Sequence, residues 1–206
     1  MTSYLRILSI ACLSLFMVAG CSSSGTSDPS SASQNTTSQN RTASEDETYD
    51  EESIGKIASD WLGAGAESIG KVIEKAFKDH GRPNGYILGT EGSGALIIGL
   101  RYGDGELVHK IEGNRPVYWK GPSLGPDIGG NASKTFTLVY NLYDVEELFQ
   151  RFPGVEGSIY YVAGITMNYQ RKEDIILAPI RLGAGLRLGA NLGYVHYTKK
   201  RDWIPF

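Results

Sequence analysis

The sequence predicts a mainly β fold, a small barrel or sandwich preceded by N-terminal helices. Three observations predict it. Twenty of the 26 glycines fall between Gly81 and Gly193, where they punctuate short apolar segments. Residues 53–80 carry apolar side chains at helical spacing just ahead of that region. Residues 22–52 are dominated by Ser, Thr, Asn, Gln and acids, and cannot bury enough surface to fold. The 206 residues therefore divide into an export segment (1–20), a cysteine and linker (21–52) and one domain (53–206). A domain of about 150 residues is long enough for a single core.

Met1 to Gly20 reads as a signal peptide. Arg6 supplies the positive start, and the apolar stretch Ile7 to Ala19 is too short to span a membrane as a helix. It ends in Val18-Ala19-Gly20-Cys21, which resembles a bacterial lipobox, with cleavage between Gly20 and Cys21 and lipidation of Cys21. Two or three acyl chains on one cysteine give stable membrane anchoring. Ser22 stands where an Asp would retain the protein at the inner membrane, so the expected destination is the outer membrane, facing the periplasm. Cys12 and Cys21 are the two cysteines, so disulfides and cysteine nucleophiles are excluded beyond residue 21. The linker holds seven acids and Arg41, a solvated tether; the domain carries eighteen Lys and Arg against sixteen Asp and Glu, with no basic concentration that nucleic acid would need.

Within the domain, Ile54, Ile57, Ala58 and Trp61 form one apolar stripe, and Ile69, Val72, Ile73, Ala76 and Phe77 form a second. Gly63 and Gly65 separate them, and Gly81 with Pro83 ends the second helix. Strands are expected over 85–90, 94–101, 106–111, 116–120, 134–140, 158–169, 175–179 and 186–197, with a turn at Glu91 to Gly94. A helix over 144–151 has Val145, Leu148 and Phe149 on one face; Asn141 or Asp144 caps it and Pro153-Gly154 ends it. A membrane-embedded barrel is weighed because the chain ends in Phe206, but the strands are short and Pro205 breaks a final strand.

No catalytic constellation emerges. The Gly89–Gly94 loop lacks the Lys-Ser/Thr of a phosphate loop, and so does the Gly-rich run 181–189. His80, His109 and His196 have no second ligand at metal-binding spacing, so no metal or cofactor is expected. The carboxylate pairs Asp104/Glu106 and Glu146/Glu147 are not singled out as an acid–base pair. The candidate ligand surface is Arg101 and Tyr102 with Tyr118, Trp119 and Lys120, aromatics beside cations that suit a sugar, a lipid headgroup or a protein. Neighbours on a strand face opposite ways, so one of Tyr118 and Trp119 points inside.

The stretches NGYILGTEGSGALIIGLRYGDGEL, VYWKGPSLGPDIGGNASKTFTLVYNL, RFPGVEGS, APIRLGAGLRLGANLGY and DWIPF, in this order, resemble the EipA family of bacterial envelope integrity proteins. The resemblance runs from Ser53 to Phe206. It implies a small SH3-like β-barrel carrying helices, a role in envelope integrity and stress resistance, and no enzymatic activity. A second likeness, to lipid-binding SYLF domains, rests on Tyr102 to Gly105, Leu138-Val139-Tyr140 and Glu146-Glu147-Leu148, and makes phospholipid the first ligand to test. The expectation is a non-catalytic lipoprotein of a Gram-negative envelope that binds phospholipid, glycan or another envelope protein. A phospholipid-headgroup module and, behind it, a cell-wall-modifying enzyme are the alternatives.

Overall fold

The structure is a computed structural model and describes residues 44–95, 98–124, 133–182 and 193–202. The expected signal, Cys21 and most of the linker lie outside the described residues. The folded chain nevertheless reaches back into the stretch assigned to the linker. Thr48 is buried, and Tyr49 packs edge-on against Tyr86. The helices are α1 (Glu51–Leu62) and α2 (Ala66–His80). Asp50 caps α1 by accepting from the Ser53 N–H at 2.8 Å. Gly63, at φ 70°, ends α1, and Gly81, at φ 75°, ends α2, both in the positive-φ region that the absence of a Cβ makes accessible.

Among the described residues ten strands form one antiparallel sheet. They are β1 (Gly85–Ala95), β2 (Ile98–His109), β3 (Gly113–Leu124), β4 (Ser133–Tyr140), β5 (Arg151–Pro153), β6 (Tyr160–Val162), β7 (Ile165–Met167), β8 (Gln170–Lys172), β9 (Ile175–Leu182) and β10 (Tyr194–Thr198). The order is β5-β10-β3-β2-β1-β4-β9-β7-β6, and β9 also pairs with β8 near its start. A bridge between Gly154 and Gln170 joins the β5 side to β8 and closes the sheet into a barrel. The Val155 N–H, donating to Tyr169 O at 2.9 Å, supports that seam.

The expected turn at Glu91–Gly94 is corrected: those residues continue β1, paired through Gly92↔Tyr102 with β2. Glycines on either side of that stretch, Gly89 in β1 and Gly103 in β2, serve close packing. A Cβ on Gly89 or Gly103 would collide with the Trp119 indole, which lies across both backbones. The expected helix over 144–151 is also corrected. It is a single 3₁₀ turn at Val145–Leu148, capped by Asp144, and Arg151–Pro153 is strand. With Leu142, Val145 and Leu148 buried in the barrel end, the segment is a plug whose path follows the cavity, not helical periodicity. The expected strand over 158–169 is a hairpin, β6 and β7, turned at Ala163 and Gly164, both at positive φ. The first part of the strand expected over 186–197 lies outside the described residues, and β10 supplies its end.

Two apolar cores result. The outer one lies between the helices and the sheet: Ile54, Ala58, Leu62, Ile69, Val72, Ile73 and Ala76 pack on Tyr86, Phe136, Leu138, Ile176, Ala178 and Ile180. The predicted stripes therefore do face the sheet, with Leu62 taking a deeper place than Ile57 or Trp61. The Trp61 indole N–H still ties α1 to β4, donating to Thr135 O at 3.0 Å. The inner core fills the barrel with Ile87, Leu107, Val117, Val139, Leu177, Val195 and Phe152, among others. Strand alternation sorts the two: Tyr86 and Leu138 go out to the helices, Ile87 and Val139 go in.

Candidate functional site

The same alternation fixes what else faces inward. From Ile87 the inward positions of β1 run on to Gly89 and Glu91; through the paired registers they continue to Gly103 and Arg101 on β2, Trp119 on β3, Thr135 on β4 and Arg181 on β9. The barrel interior is thus apolar at the end closed by the 3₁₀ plug and polar at the other.

At the polar end Arg181 grips Glu91. Its Nε donates to Glu91 Oε1 at 3.0 Å and its Nη2 to Oε2 at 3.3 Å, a bidentate pair. The Arg181 Nη1 donates to Asn168 Oδ1 at 2.9 Å, and the Trp119 Nε1–H donates to Glu91 Oε2 at 2.9 Å. Arg101, also buried, donates from Nε to Pro122 O at 3.2 Å. Burial alone would push the Glu91 carboxyl up, but the charges of Arg181 and Arg101 and the two hydrogen-bonded donors outweigh it and hold the group at about 2. The carboxylate is therefore ionised at every physiological pH. Two buried guanidiniums and one buried carboxylate thus stand together among the described residues at this end of the barrel.

A small cavity opens beside this cluster, along the closing seam. Arg101, Pro122, Gly154, Asn168, Gln170 and Gly193 line it, and its volume of about 10 Å³ is room for one water-sized group. Gln170 is 2 % exposed, and its Oε1 has no hydrogen-bond partner. A second cleft, of about 250 Å³, lies at the plugged end between Asn84, His109, Ile111, Glu112, Leu142 and Tyr143. It is larger, yet its buried polar groups serve the fold. The Asn84 amide donates to Leu142 O at 2.7 Å and accepts from Leu142 N at 3.3 Å. His109 Nδ1 accepts from the Glu112 N–H at 3.1 Å, so the ring proton sits on Nε2 and is donated to Leu142 O at 2.7 Å. The smaller cavity is the better candidate because one of its polar groups awaits a partner.

Residues 47–206 match the family described as envelope integrity protein A. The chain belongs to the EipA family. The crystal structure of a β-barrel-like, uncharacterized protein from Brucella abortus is similar at 46 % identity, covering 78 % of this chain and 99 % of that one with a TM-score of 0.71. No curated protein matches.

In this EipA-family barrel the candidate surface of Arg101, Tyr102, Tyr118, Trp119 and Lys120 is divided between two sides of the sheet. Arg101 and Trp119 point inward and join the Glu91 cluster. Tyr102 and Tyr118 lie on the outer face, where the Arg201 guanidinium stands 5.7 Å from the Tyr118 ring centre. Lys120 is on that face too, buried, and pairs with Asp202 at 2.6 Å. The carboxylate pairs are likewise separated by their partners: Asp104 meets Arg201, Glu106 accepts from Asn114, and Glu146 pairs with Lys199.

Sequence reasoning missed Glu91, Arg181, Asn168 and Gln170. For Arg181 a signal existed, since it continues the inward register Ile175, Leu177, Pro179 of β9; the expected strand stopped at Pro179. Glu91 was hidden by its glycines. The histidines lie apart: His109 in the plugged end, His196 on β10, and His80 at the end of α2, its ring 4.4 Å from that of Tyr169. Burial lowers the His80 pKa and keeps the ring neutral. Among the described residues no group of His, Cys, Asp and Glu could hold a metal ion, and no helix is long and apolar enough to cross a membrane.

Proposed function

We propose that this chain is a lipid-anchored, non-catalytic envelope protein that supports envelope integrity by binding an envelope component at the polar end of its barrel. Membership of the EipA family over residues 47–206 is the observation that carries the reading. The lipobox-like Val18-Ala19-Gly20-Cys21 supports the anchor, and Ser22 supports the outer membrane as its destination. The polar, acidic linker after Cys21 reads as a solvated spacer between anchor and barrel. A barrel end that buries charged side chains beside a small cavity is suited to recognition, and among the described residues it holds no nucleophile–base pair.

Two measurements test it. Cys21→Ser should move the protein from the membrane to the soluble periplasmic fraction, and retention in the membrane would overturn the anchor. The same variant, purified, should co-sediment with either anionic liposomes or purified sacculi. Phospholipid, glycan and protein are the partner classes at issue, and sedimentation with neither surface would turn the search to proteins by crosslinking in cells.

A further inference from the structure

We propose that His80 is an acid-released latch on the barrel seam: protonation of its ring frees Tyr169 from the end of α2 and opens the line where Gly154 meets Gln170. The latch needs no ligand and stands apart from the envelope-component reading. Tyr169 is the part that both sides share. Its side chain belongs to the helical layer. The phenol O–H donates to Asp79 Oδ2 at 2.7 Å, and the ring meets the His80 ring edge-on at 4.4 Å. Its main chain belongs to the seam. The Tyr169 carbonyl accepts from the Val155 N–H at 2.9 Å, and the Tyr169 N–H donates to Ser158 Oγ at 3.0 Å. The next residue, Gln170, makes the bridge to Gly154. The end of α2 therefore holds the seam through one residue.

The His80 site suits a neutral ring. Its Nε2 is buried and has no hydrogen-bond partner. Tyr140, from β4, has its ring 5.6 Å away, and its buried hydroxyl has no partner either, so the two groups do not meet. Of the charged groups facing the ring, Lys75 on α2 and Arg171 on β8 are positive and Asp79 on α2 is negative. Asp79 already pairs with Lys75 and accepts from Tyr169. Burial, which weighs on the ring whichever way it is turned, outweighs the Asp79 charge and holds the pKa below the ordinary 6.5. Once opened, His80 takes up a proton at that ordinary value; closed, it does so only at lower pH. Stability at the latch is therefore full above 6.5 and is lost as pH falls below it. One proton per opening multiplies the open population by up to about tenfold at one pH unit below that value. Glu91 stays ionised throughout this range and is silent in it.

The test is native-state hydrogen exchange on the full exported chain with Cys21→Ser, at about pH 7.5 and about pH 5.5, with rates corrected for the intrinsic pH dependence of amide exchange. In this parent the protection of the Val155 amide should fall by up to about tenfold between the two, while the amides of β2 keep theirs. His80→Phe keeps an aromatic ring against Tyr169 and Tyr140 and removes the titration, so its Val155 protection should be equal at both pH values. Should His80→Phe fail to fold, His80→Gln takes its place. His196, on β10 beside β5, is also held below 6.5 by burial and titrates in the same range, so the difference between parent and variant is what reads the latch. A parent change of less than about twofold, or the same fall in the folded variant, would overturn the latch and leave the envelope-component reading standing.

Discussion

The two ends of the barrel interior are built from the same strands and differ in what they bury. The plugged end holds Phe152, Leu148, Val145 and Leu142, and its polar groups, Asn84 and His109, are both satisfied by one peptide unit at Leu142. The polar end holds Glu91, Arg101, Arg181, Asn168 and Gln170, with one acceptor left over. Apolar packing is the cheaper way to fill such a space, because desolvating charges offsets much of their attraction. One end follows the stable solution and the other departs from it, and the proposed recognition belongs to the second.

That division can be broken by paired substitutions. The largest effects belong to the two interiors. Glu91→Gln leaves two guanidiniums without their carboxylate and should cost about 3–5 kcal/mol in denaturant unfolding. Phe152→Ala, a fully buried aromatic, should cost about 3–5 kcal/mol by the same measurement and leave ligand binding intact. If Glu91→Gln costs less than about 1 kcal/mol, the polar end is solvated and the contrast fails.

Acid provides the next test. Glu91 is held at about 2 in the fold against an ordinary 4.5. The unfolded chain binds the extra proton between those values, so stability is full above pH 4.5 and falls as pH drops toward 2, by about 3 kcal/mol in all. A Glu91→Gln variant should show a flatter slope across that window, and an unchanged slope would assign acid sensitivity elsewhere. Gly103→Ala, which drives a methyl into the Trp119 indole, should cost about 1–3 kcal/mol and perturb the tryptophan emission. The smallest effect lies outside the barrel. Trp61→Phe removes the indole bond to Thr135 O and should cost about 0.5–1.5 kcal/mol, leaving both barrel ends untouched.

Much of the outer architecture was legible because it follows local periodicity. The α2 stripe Ile69, Val72, Ile73 and Ala76 recurs at helical spacing, and those residues are buried on the sheet. Tyr118 and Trp119 had to face opposite ways, and they do. The interior was less legible because it is non-local. Glu91 and Arg181 lie 90 residues apart and are joined only when β4 sets β1 beside β9. Glu91 read as part of a turn because glycines surround it, and of these Gly89 answers to the Trp119 indole, 28 residues further on from Glu91, which local sequence does not announce. The choice between barrel and sandwich depended on the Gly154–Gln170 bridge, which no periodicity announces.

That bridge has a mechanical consequence. A closed ring of springs strains most where one of them is soft. Around this barrel β2 and β3 are joined over twelve residue pairs, whereas the seam is an isolated bridge beside a short strand. Thermal breathing should concentrate there, and native-state hydrogen exchange should find the Val155 amide opening well before those of β2. The barrel is stiff around most of its circumference and yields along one line, a hinge laid lengthwise where Gly154 meets Gln170.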